Sequence, residues 1–334
     1  MIPIRIAHGG GGRETAALIH SVIQKRLGNP VLDRLEDGAV LEGLPSPLVF
    51  TTDSFVVQPL FFPGGDIGKL SVCGTVNDLA VMGAEPKYLS LALIIEEGFA
   101  TEDLERIIDS VAATAREAGV TVVCGDTKVV EKGGADGLFI NTAGLGARRP
   151  GIAPSISAVR PGDILLVNGP VGDHAVAVLG ARKKLNFTTA LESDCAPLHS
   201  LAAALFDSGV PIHAMRDATR GGLSAVMNEM ALASNVTMVV DEKNVPVRDA
   251  VRAACGLLGF NPFDLANEGK LVVAAPAHYA DRLLDAMRAH PLGREAAVVG
   301  CVEASGRFPA VLETRFGGRI ILEMPRGELL PRIC

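Results

Sequence analysis

Three aspartates of this 334-residue chain interrupt apolar segments, which makes them candidates for a binding or catalytic site. Asp53 breaks an apolar strand pattern, Asp78 lies inside an apolar helix pattern, and Asp126 follows the strand-like run at 120–125. An ionised carboxylate among apolar neighbours is costly unless it is paired or holds a cation. Carboxylate oxygens are also the ligands through which Mg²⁺ is held beside phosphate groups. The three aspartates therefore predict a site for Mg²⁺ and a phosphate.

Glycine-rich segments at 9–12 and 63–68 accompany the aspartates. Glycines let backbone N–H groups approach phosphate oxygens closely, and helix N-termini favour the anion. Neither GxxxxGK[ST] nor a GxGxxG following a strand is present, which excludes the common nucleotide loops. Each glycine cluster alone fits an ordinary turn, whereas the clusters and the aspartates together favour a nucleotide site.

The second half of the chain adds polar groups near predicted helix and strand ends. The stretch Arg216–Gly222 precedes a helix pattern, where Arg220 and backbone donors fit either an anion site or a helix cap with a salt bridge. Glu268 stands before an apolar strand and is either a general base or a partner for Lys270. Lys128 is a candidate phosphate ligand or active-site cation.

The chain ends on a cysteine, Cys334, after a segment broken by Pro325, Gly327 and Pro331. Prolines deny this tail helix and sheet hydrogen bonds, so it is expected to be irregular or extended. Ten extended residues reach at most about 33–36 Å. A thiol on such a tether can be presented to one site and withdrawn to another. The alternative is a frayed terminus whose last residue happens to be cysteine.

Composition narrows the class of protein. A net charge of −7 without a lysine or arginine run argues against nucleic acid and anionic membranes as main partners. No apolar run approaches the roughly 18 residues of a membrane span, and the N-terminal residues lack the zones of a signal peptide. The six cysteines are scattered without metal-binding spacing. These features predict a cytoplasmic protein with reduced thiols.

Apolar periodicity predicts an α/β chain of two domains. Leu104, Ile107, Ile108 and Val111 keep the 3, 4 spacing of one buried helix face within 102–118. Further helices are predicted at 13–27, 67–84, 173–185, 195–208 and 219–235, and strands alternate with them. The proline-containing segment 150–161 is the candidate linker. We expect domains at 1–150 and 151–324, followed by a flexible tail at 325–334.

A set of motifs occurs in order along the chain: HGGGG, TTDSFVVQPLFFPGGDIGKL, GTVNDLAVMGA, GDTKVV, GDH, SDCAPL, RDATRGGL, LANEGK and the terminal PRIC. With these motifs the full length closely resembles the HypE family, the carbamoyl dehydratases of hydrogenase maturation. That family belongs to an ATP-binding superfamily with aminoimidazole ribonucleotide synthetase and selenophosphate synthetase. The aspartate-rich half is shared across the superfamily, whereas PRIC is specific to HypE. Alanine replaces an expected proline in RDATRGG, a minor departure.

The resemblance implies a homodimer in which the N-terminal domains form an intersubunit β-barrel, each beside its C-terminal α/β domain. ATP and Mg²⁺ are implied in the cleft between the domains. The metal ligands implied are Asp53, Asp78 and Asp126. The ATP-binding residues implied are Gly65, Asp66, Lys69, Asn77, Asp126, Thr127, Asp217, Thr219, Arg220, Gly221 and Gly222.

The resemblance also implies a reaction on the tail. The carbamoyltransferase HypF loads a carboxamide on the sulfur of Cys334, and ATP then phosphorylates the carboxamide oxygen so that it leaves as phosphate. Glu268 and Lys128 are the implied catalytic partners of Cys334 for proton handling or positioning. The resulting thiocyanate passes its cyano group to a HypC–HypD complex, for the iron of nickel–iron hydrogenase.

Two alternatives stay open at this stage. One is a carrier that only ferries the modified cysteine and has a vestigial ATP cleft. The other is a related ATP-dependent synthetase with a diffusible substrate. A selenophosphate synthetase needs a reactive cysteine in its glycine-rich loop, and 9–12 has none. The other synthetases and kinases give Cys334 no role.

Overall fold

The computed structural model describes residues 4–5, 17–30, 32–34, 47–183, 191–325, 330 and 332–334. The glycine run at 9–12 and the start of the helix predicted at 13–27 lie outside the described residues. The later part of that helix is present as a π-helical segment, Ile19–Gln24, continued by Lys25–Leu27. No helix in these ranges is long and apolar enough to cross a membrane.

The first half of the chain forms a four-stranded mixed sheet. Its strands are β1 (Leu48–Phe55), β4 (Ala84–Glu96), β5 (Thr121–Val130) and β6 (Leu138–Arg148), and a small hairpin pairs β2 (Phe61–Phe62) with β3 (Gly65–Asp66). The strand order is β1-β6-β4-β5, with β4 and β5 parallel and the other pairs antiparallel. Helix α1 (Ile67–Val81) follows β3, and α2 (Thr101–Glu117) makes the crossover that the parallel pair requires.

The two faces of this sheet have different surroundings. Helix α1 packs on β1, β4 and β6, and α2 packs on α1. Along β1 the side chains alternate, so that Asp53 and Phe55 face α1 while Phe50 and Ser54 face away. Phe50 is 69% exposed, and Ile94 of β4 is 43% exposed on the same side. One face of the sheet is therefore open, and we call it the open face.

The second half forms a seven-stranded mixed sheet. Its strands are β7 (Asp163–Val167), β8 (Ala214–Asp217), β9 (Val236–Asp241), β10 (Leu271–Pro276), β11 (Ala297–Ala304), β12 (Ala310–Glu313) and β13 (Arg319–Ile321). The order is β13-β12-β9-β11-β7-β10-β8, in which β12 and β9 are parallel. The helices are α3 (Asp173–Lys183), α4 (His199–Asp207), α5 (Gly222–Ser234), α6 (Asp249–Leu258) and α7 (Ala280–Ala289).

Helices cover both faces of the larger sheet and connect it to the smaller one. Helix α5 shares one apolar cluster with the sheet through residues such as Met227, while α4 and α7 share another through Leu205 and Leu283. Helices α3 and α6 instead join the cluster of the first half, through Val176 and Val251. The predicted two-domain α/β architecture is confirmed, and the boundaries at 150 and 324 stay predictions.

Two helices begin later than the sequence pattern predicts. The helix predicted at 195–208 begins at His199, and the one predicted at 219–235 begins at Gly222. Hydrogen bonds to other parts of the fold hold the first stretch outside the helix, since the Leu198 N–H donates to the Asn77 side chain and the Ala196 N–H to the Glu268 carbonyl. Tertiary contacts here outweigh local helix propensity.

Candidate active site

Four acidic side chains from both halves of the chain converge beside α1. Asp53 comes from β1, Asp78 from α1, Asp217 from the end of β8, and Glu268 from the loop before β10. We call these four residues the carboxylate cluster. Helix α1 brings them together because it contacts both β1 and β8. The sequence analysis gave each of the four a candidate role, and in the structure they lie close enough for their charges to affect one another's pKa values.

Burial and mutual repulsion perturb this cluster. Burial, followed by the charge of Asp78, raises the pKa of Asp53 to about 6 and that of Asp217 to about 7. Burial also raises the pKa of Asp78, although the Thr51 hydroxyl donates to its carboxylate at 2.7 Å and favours the ionised form. The Arg220 charge lowers the pKa of Asp53, but this effect is smaller than the combined effect of burial and the Asp78 charge. A divalent cation fits this donor set because it would offset repulsion that the protein's own cations leave uncompensated.

Glu268 is the most deeply perturbed member of the cluster. The residue is 2% exposed, and its Oε1 atom is buried without a hydrogen-bond partner in the described part of the chain. Burial, then the neighbouring Cys195 and Asp194, raises its pKa well above the usual range. Burial of this kind favours the protonated form of the carboxyl group and makes the ionised form a stronger base than an ordinary carboxylate.

A buried ion pair fixes the backbone around Glu268. The Asp194 carboxylate accepts hydrogen bonds from the backbone N–H groups of Glu268 at 3.1 Å and Gly269 at 3.2 Å, and from Lys270 Nζ at 2.9 Å. Lys270 therefore pairs with Asp194, and of the two alternatives for Glu268, the one in which it is the partner of Lys270 is wrong. A Cβ atom on Gly269 would lie 1.9 Å from the Asp194 carbonyl oxygen, so only glycine allows this close approach.

Asn77 holds three segments together beneath the cluster. Its Nδ2 donates to the carbonyl groups of Ala196 at 3.2 Å and Glu268 at 3.3 Å, and its Oδ1 accepts from the Leu198 N–H at 2.7 Å. The side chain is 1% exposed. In this structure Asn77 fastens α1 to the loops that carry Cys195 and Glu268.

The predicted nucleotide segment Gly65–Lys69 opens helix α1. Asp66 caps the helix by accepting from the N–H groups of Gly68 at 2.8 Å and Lys69 at 3.0 Å. Lys69 Nζ donates to the Gly64 carbonyl at 2.9 Å. Lys69 also lines a cleft of about 1130 Å³ between the two halves, alongside the Asp194–Lys270 pair. In the described part of the chain, no other predicted nucleotide residue lines that cleft.

The predicted segment 217–222 makes a left-handed turn into α5. Gly221 and Gly222 have φ values of 76° and 58°, a region that favours glycine. The Gly222 N–H donates to the Thr219 carbonyl at 2.9 Å, and a Cβ atom on Gly222 would lie 2.4 Å from the Leu265 carbonyl oxygen. The turn leaves Arg220 exposed beside the carboxylate cluster.

Asp126 and Lys128 lie elsewhere in the same chain. Both are on the edge strand β5, three strand spacings or roughly 14 Å from β1. The register aligns Asp126 with Ser54, so it points to the open face, while the buried Thr127 points to the α1 side. Lys128 Nζ pairs with the Asp126 carboxylate at 3.1 Å. Across the described ranges, no group of three or more His, Cys, Asp or Glu side chains stands in metal-ligating geometry.

The C-terminal residues pair with the chain immediately beyond β1. The Val56 N–H donates to the Cys334 carbonyl at 3.1 Å, and the Gln58 N–H to the Arg332 carbonyl at 3.1 Å. This pairing is antiparallel and continues from the end of β1. Ile333 is 5% exposed within the apolar cluster of the first half, while Cys334 is half-buried.

Sequence reasoning assigned no role to three residues that support this site. Asp194 fixes the Glu268 loop, and His174 and Arg182 of α3 contact the C-terminal residues. Asp194 and His174 stand in the SDCAPL and GDH motifs. A charged or titratable side chain in an apolar stretch was the signal that could have identified both.

Both halves of the chain match models of a known protein family. Residues 35–147 match the family model described as AIR synthase related protein, N-terminal domain, and residues 160–313 match its C-terminal counterpart. Carbamoyl dehydratase HypE of Azotobacter vinelandii is 50% identical over 331 residues, covering 99% of this chain and 97% of that protein.

Solved structures of similar proteins share the fold of this chain. The crystal structure of hydrogenase maturation protein HypE in complex with ATP has a TM-score of 0.95 and 44% identity, covering 99% of this chain and 100% of the other. A HypE–HypF complex structure has a TM-score of 0.81 and 45% identity, covering 92% of this chain and 100% of the other.

Proposed function

Since the chain belongs to the HypE family of carbamoyl dehydratases, we propose that it dehydrates a carboxamide on the sulfur of its own Cys334 to a thiocyanate. The reaction uses ATP and supplies the cyanide ligands of nickel–iron hydrogenase. In this proposal the Cys334 thiol carries the substrate, and the carboxylate cluster takes part in its ATP-dependent dehydration.

The docked C-terminus is the observation that carries this proposal. The Cys334 main chain pairs with Val56, three residues beyond Asp53 on the same stretch of chain. Cys334 also packs on the apolar cluster that contains Cys195, and Cys195 is a neighbour of Glu268. The residue whose sulfur would carry the substrate thus pairs with the same stretch of chain that supplies Asp53.

The chemistry requires an activated oxygen and the removal of two protons. The carbonyl oxygen of a thiocarboxamide, S–C(=O)–NH₂, is a very poor leaving group, and dehydration must expel this oxygen while the C–S bond stays intact. Transfer of the ATP γ-phosphoryl group to the carbonyl oxygen, with loss of one N–H proton, gives an imidate phosphate. Loss of the second N–H proton and of phosphate then forms S–C≡N. We propose that Glu268 in its ionised form accepts one of these protons, because a carboxylate with a raised pKa is a stronger base than an ordinary one.

The carboxylate cluster and the segments around it are proposed to bind the nucleotide and metal. Asp53 and Asp78 would hold Mg²⁺, which supplies charge neutralisation for phosphoryl transfer. The Arg220 guanidinium and the N–H groups of the glycine turn at 221–222 would bind phosphate oxygens. Thr219, Asp217 and the Gly65–Lys69 segment complete the proposed nucleotide site.

Asp126 and Lys128 enter this scheme through a proposed homodimer. Both face the open side of the sheet, away from the cluster of their own chain. The open face carries Phe50 and Ile94, and an exposed apolar sheet face of this kind is typical of an interface. Pairing of two open faces would form the intersubunit barrel and bring Asp126 and Lys128 to the partner's site.

A pair of matched substitutions tests the dimer. Phe50→Glu places a charge on the open face, whereas Phe316→Glu places one on a turn where the ring is 99% exposed. We expect size-exclusion chromatography with light scattering to give a monomer for the first variant and a dimer for the second. A dimeric Phe50→Glu protein would exclude the open face as the interface.

The proposed partners follow from the path of the cysteine. HypF would load the carboxamide, and a HypC–HypD complex would accept the cyano group. A solved HypE–HypF complex, similar to this chain, supports the first partner. None of the six cysteines, all of which lie in the described part of the chain, forms a disulfide, and this fits a reducing compartment such as the cytoplasm.

Intact-mass spectrometry tests the function directly. Wild-type protein incubated with HypF and its substrates should gain one carboxamide, and added ATP and Mg²⁺ should remove one water. Cys334→Ala should abolish both changes, while Cys301→Ala, at another exposed thiol, should leave both intact. An adduct that forms but never loses water would identify a carrier. Absence of any adduct on Cys334 would point to a diffusible substrate.

A further inference from the structure

The docked C-terminus is held on two sides by contacts to its main chain. On one side, Val56 and Gln58 donate their N–H groups to the Cys334 and Arg332 carbonyls. On the other side, His174 Nε2 lies 2.8 Å from the Ile333 carbonyl oxygen, and Arg182 Nη2 donates to the Arg332 carbonyl at 2.6 Å. The segment 332–334 is therefore bracketed between the end of β1 and helix α3.

The protonation of His174 follows from its neighbours. The Ile333 carbonyl can only accept, so Nε2 must carry the proton. Burial lowers the pKa of the fully buried imidazole and keeps it neutral, so Nδ1 accepts from the Ser193 hydroxyl at 2.7 Å. The Ser193 oxygen in turn accepts from the Cys195 N–H at 3.1 Å. A continuous set of hydrogen bonds thus aims the His174 donor at the C-terminal segment.

Arg332 gives independent support for a built docking site. Its φ of 56° lies in the left-handed region, which non-glycine residues seldom adopt. Such a conformation persists only where the surroundings hold it. Its carbonyl accepts from both Gln58 and Arg182, and its own Nε donates to the Val56 carbonyl at 2.9 Å. Arg182 also donates from Nε to the Gln58 carbonyl at 2.7 Å, which joins the two sides.

We propose that His174 and Arg182 are positioning residues that dock the C-terminal segment through its main chain, whatever group the Cys334 sulfur carries. The contacts described involve the carbonyl groups of the segment, the Arg332 guanidinium and the buried Ile333 side chain, and they do not involve the Cys334 sulfur. The same bracket would accept the segment as thiol, thiocarboxamide or thiocyanate. This inference rests on the proposed function only for the last two states.

Amide hydrogen exchange tests the docking without ATP or a carbamoyl donor. The Val56 and Gln58 N–H groups donate to the segment, so their protection reports its docked fraction. His174→Phe keeps a ring against Phe62, whose edge it meets at 5.4 Å, and removes the donor. We expect these two amides to exchange about 5- to 30-fold faster in this variant, as the loss of one buried hydrogen bond predicts.

Matched variants distinguish a loss of docking from a general loss of the folded structure. His174→Gln retains a donor and should restore much of the protection, while Arg182→Met should lose it. The Met238 N–H, bonded to the Pro309 carbonyl in the other sheet, should exchange at the wild-type rate in all variants. If His174→Phe unfolds, the other two variants decide the matter. Wild-type protection of Val56 and Gln58 in Arg182→Met, or in a folded His174→Phe, would overturn the proposal.

Alkylation of Cys334 with iodoacetamide tests independence from the sulfur group. The product carries a carboxamide one carbon farther from sulfur, and we expect unchanged protection of Val56 and Gln58. Loss of protection on alkylation would overturn the proposal that docking depends on the main chain.

In the dehydration assay Arg182→Met should lower the turnover rate with an unchanged KM for ATP. A wild-type protein that docks its C-terminus but never dehydrates would refute the proposed function and leave the docking inference standing.

Discussion

The buried pair Asp194–Lys270 makes Lys270→Met the most informative substitution for the folded state. The two side chains are 4% and 10% exposed and lie 2.9 Å apart. Removing one partner of a buried ion pair costs about 3–5 kcal/mol because the other charge stays buried. Asp194 keeps its hydrogen bonds from the Glu268 and Gly269 N–H groups. We therefore expect a loss near the lower end, about 3 kcal/mol of unfolding free energy.

Urea unfolding followed by far-ultraviolet circular dichroism measures this loss. The chain has no tryptophan and only two tyrosines, so intrinsic fluorescence is a poor probe. The double variant Asp194→Asn with Lys270→Met removes both charges and should recover part of the stability. A loss below about 1 kcal/mol in the single variant, or a double variant less stable than Lys270→Met, would refute the reasoning.

The same variant has a pH signature. In the wild type, burial tends to raise the pKa of Asp194, but the charge of Lys270 and its hydrogen bond outweigh burial and the pKa is lowered. The ionised carboxylate therefore stabilises the fold above about pH 4, and this contribution is lost as the pH falls through the lowered pKa. Without Lys270, burial should raise the pKa of Asp194, so the deficit of the variant should be largest near neutral pH and shrink towards acid.

Two further predictions concern the active site. The raised pKa values of Asp53, about 6, and Asp217, about 7, mean that their stabilising contribution is present below about pH 4 and lost as the pH rises through 6–7. The melting temperature of metal-free protein should fall over this range, and Mg²⁺ should reduce the fall; identical slopes with and without Mg²⁺ would argue against a metal at the cluster. Gly222→Ala should lose about 1–3 kcal/mol because of the left-handed φ and the Leu265 carbonyl, and should weaken ATP binding by calorimetry. The control Gly256→Ala, in open space on α6, should leave ATP binding unchanged.

The sequence predicted those parts of the molecule that depend on local pattern. The 3, 4 spacing from Leu104 to Val111 identified α2, and the interrupted apolar segments identified Asp53 and Asp78 as members of a site. Helix α1 is buried on nearly every side, so its apolar character showed a helix without showing which face meets Asp217.

What the sequence could not supply depends on contacts between distant segments. The position of Asp126 on the open face follows from a strand order in which β6 separates β1 from β4, and strand order is a long-range property. The Lys270 partner was missed for the same reason, since Asp194 lies 76 residues away along the chain. The start of α4 at His199 likewise depends on the distant Asn77 side chain.

The antiparallel register of the C-terminus also makes the site sensitive to chain length. Val56 pairs with residue 334 and Gln58 with residue 332, so each step along one segment matches one step along the other. One residue inserted between Ile333 and Cys334 would carry the thiol one residue beyond the position that pairs with Val56, while Ile333 stayed in its apolar pocket. The docking contacts therefore fix how many residues separate the buried Ile333 from the thiol that the proposed function requires.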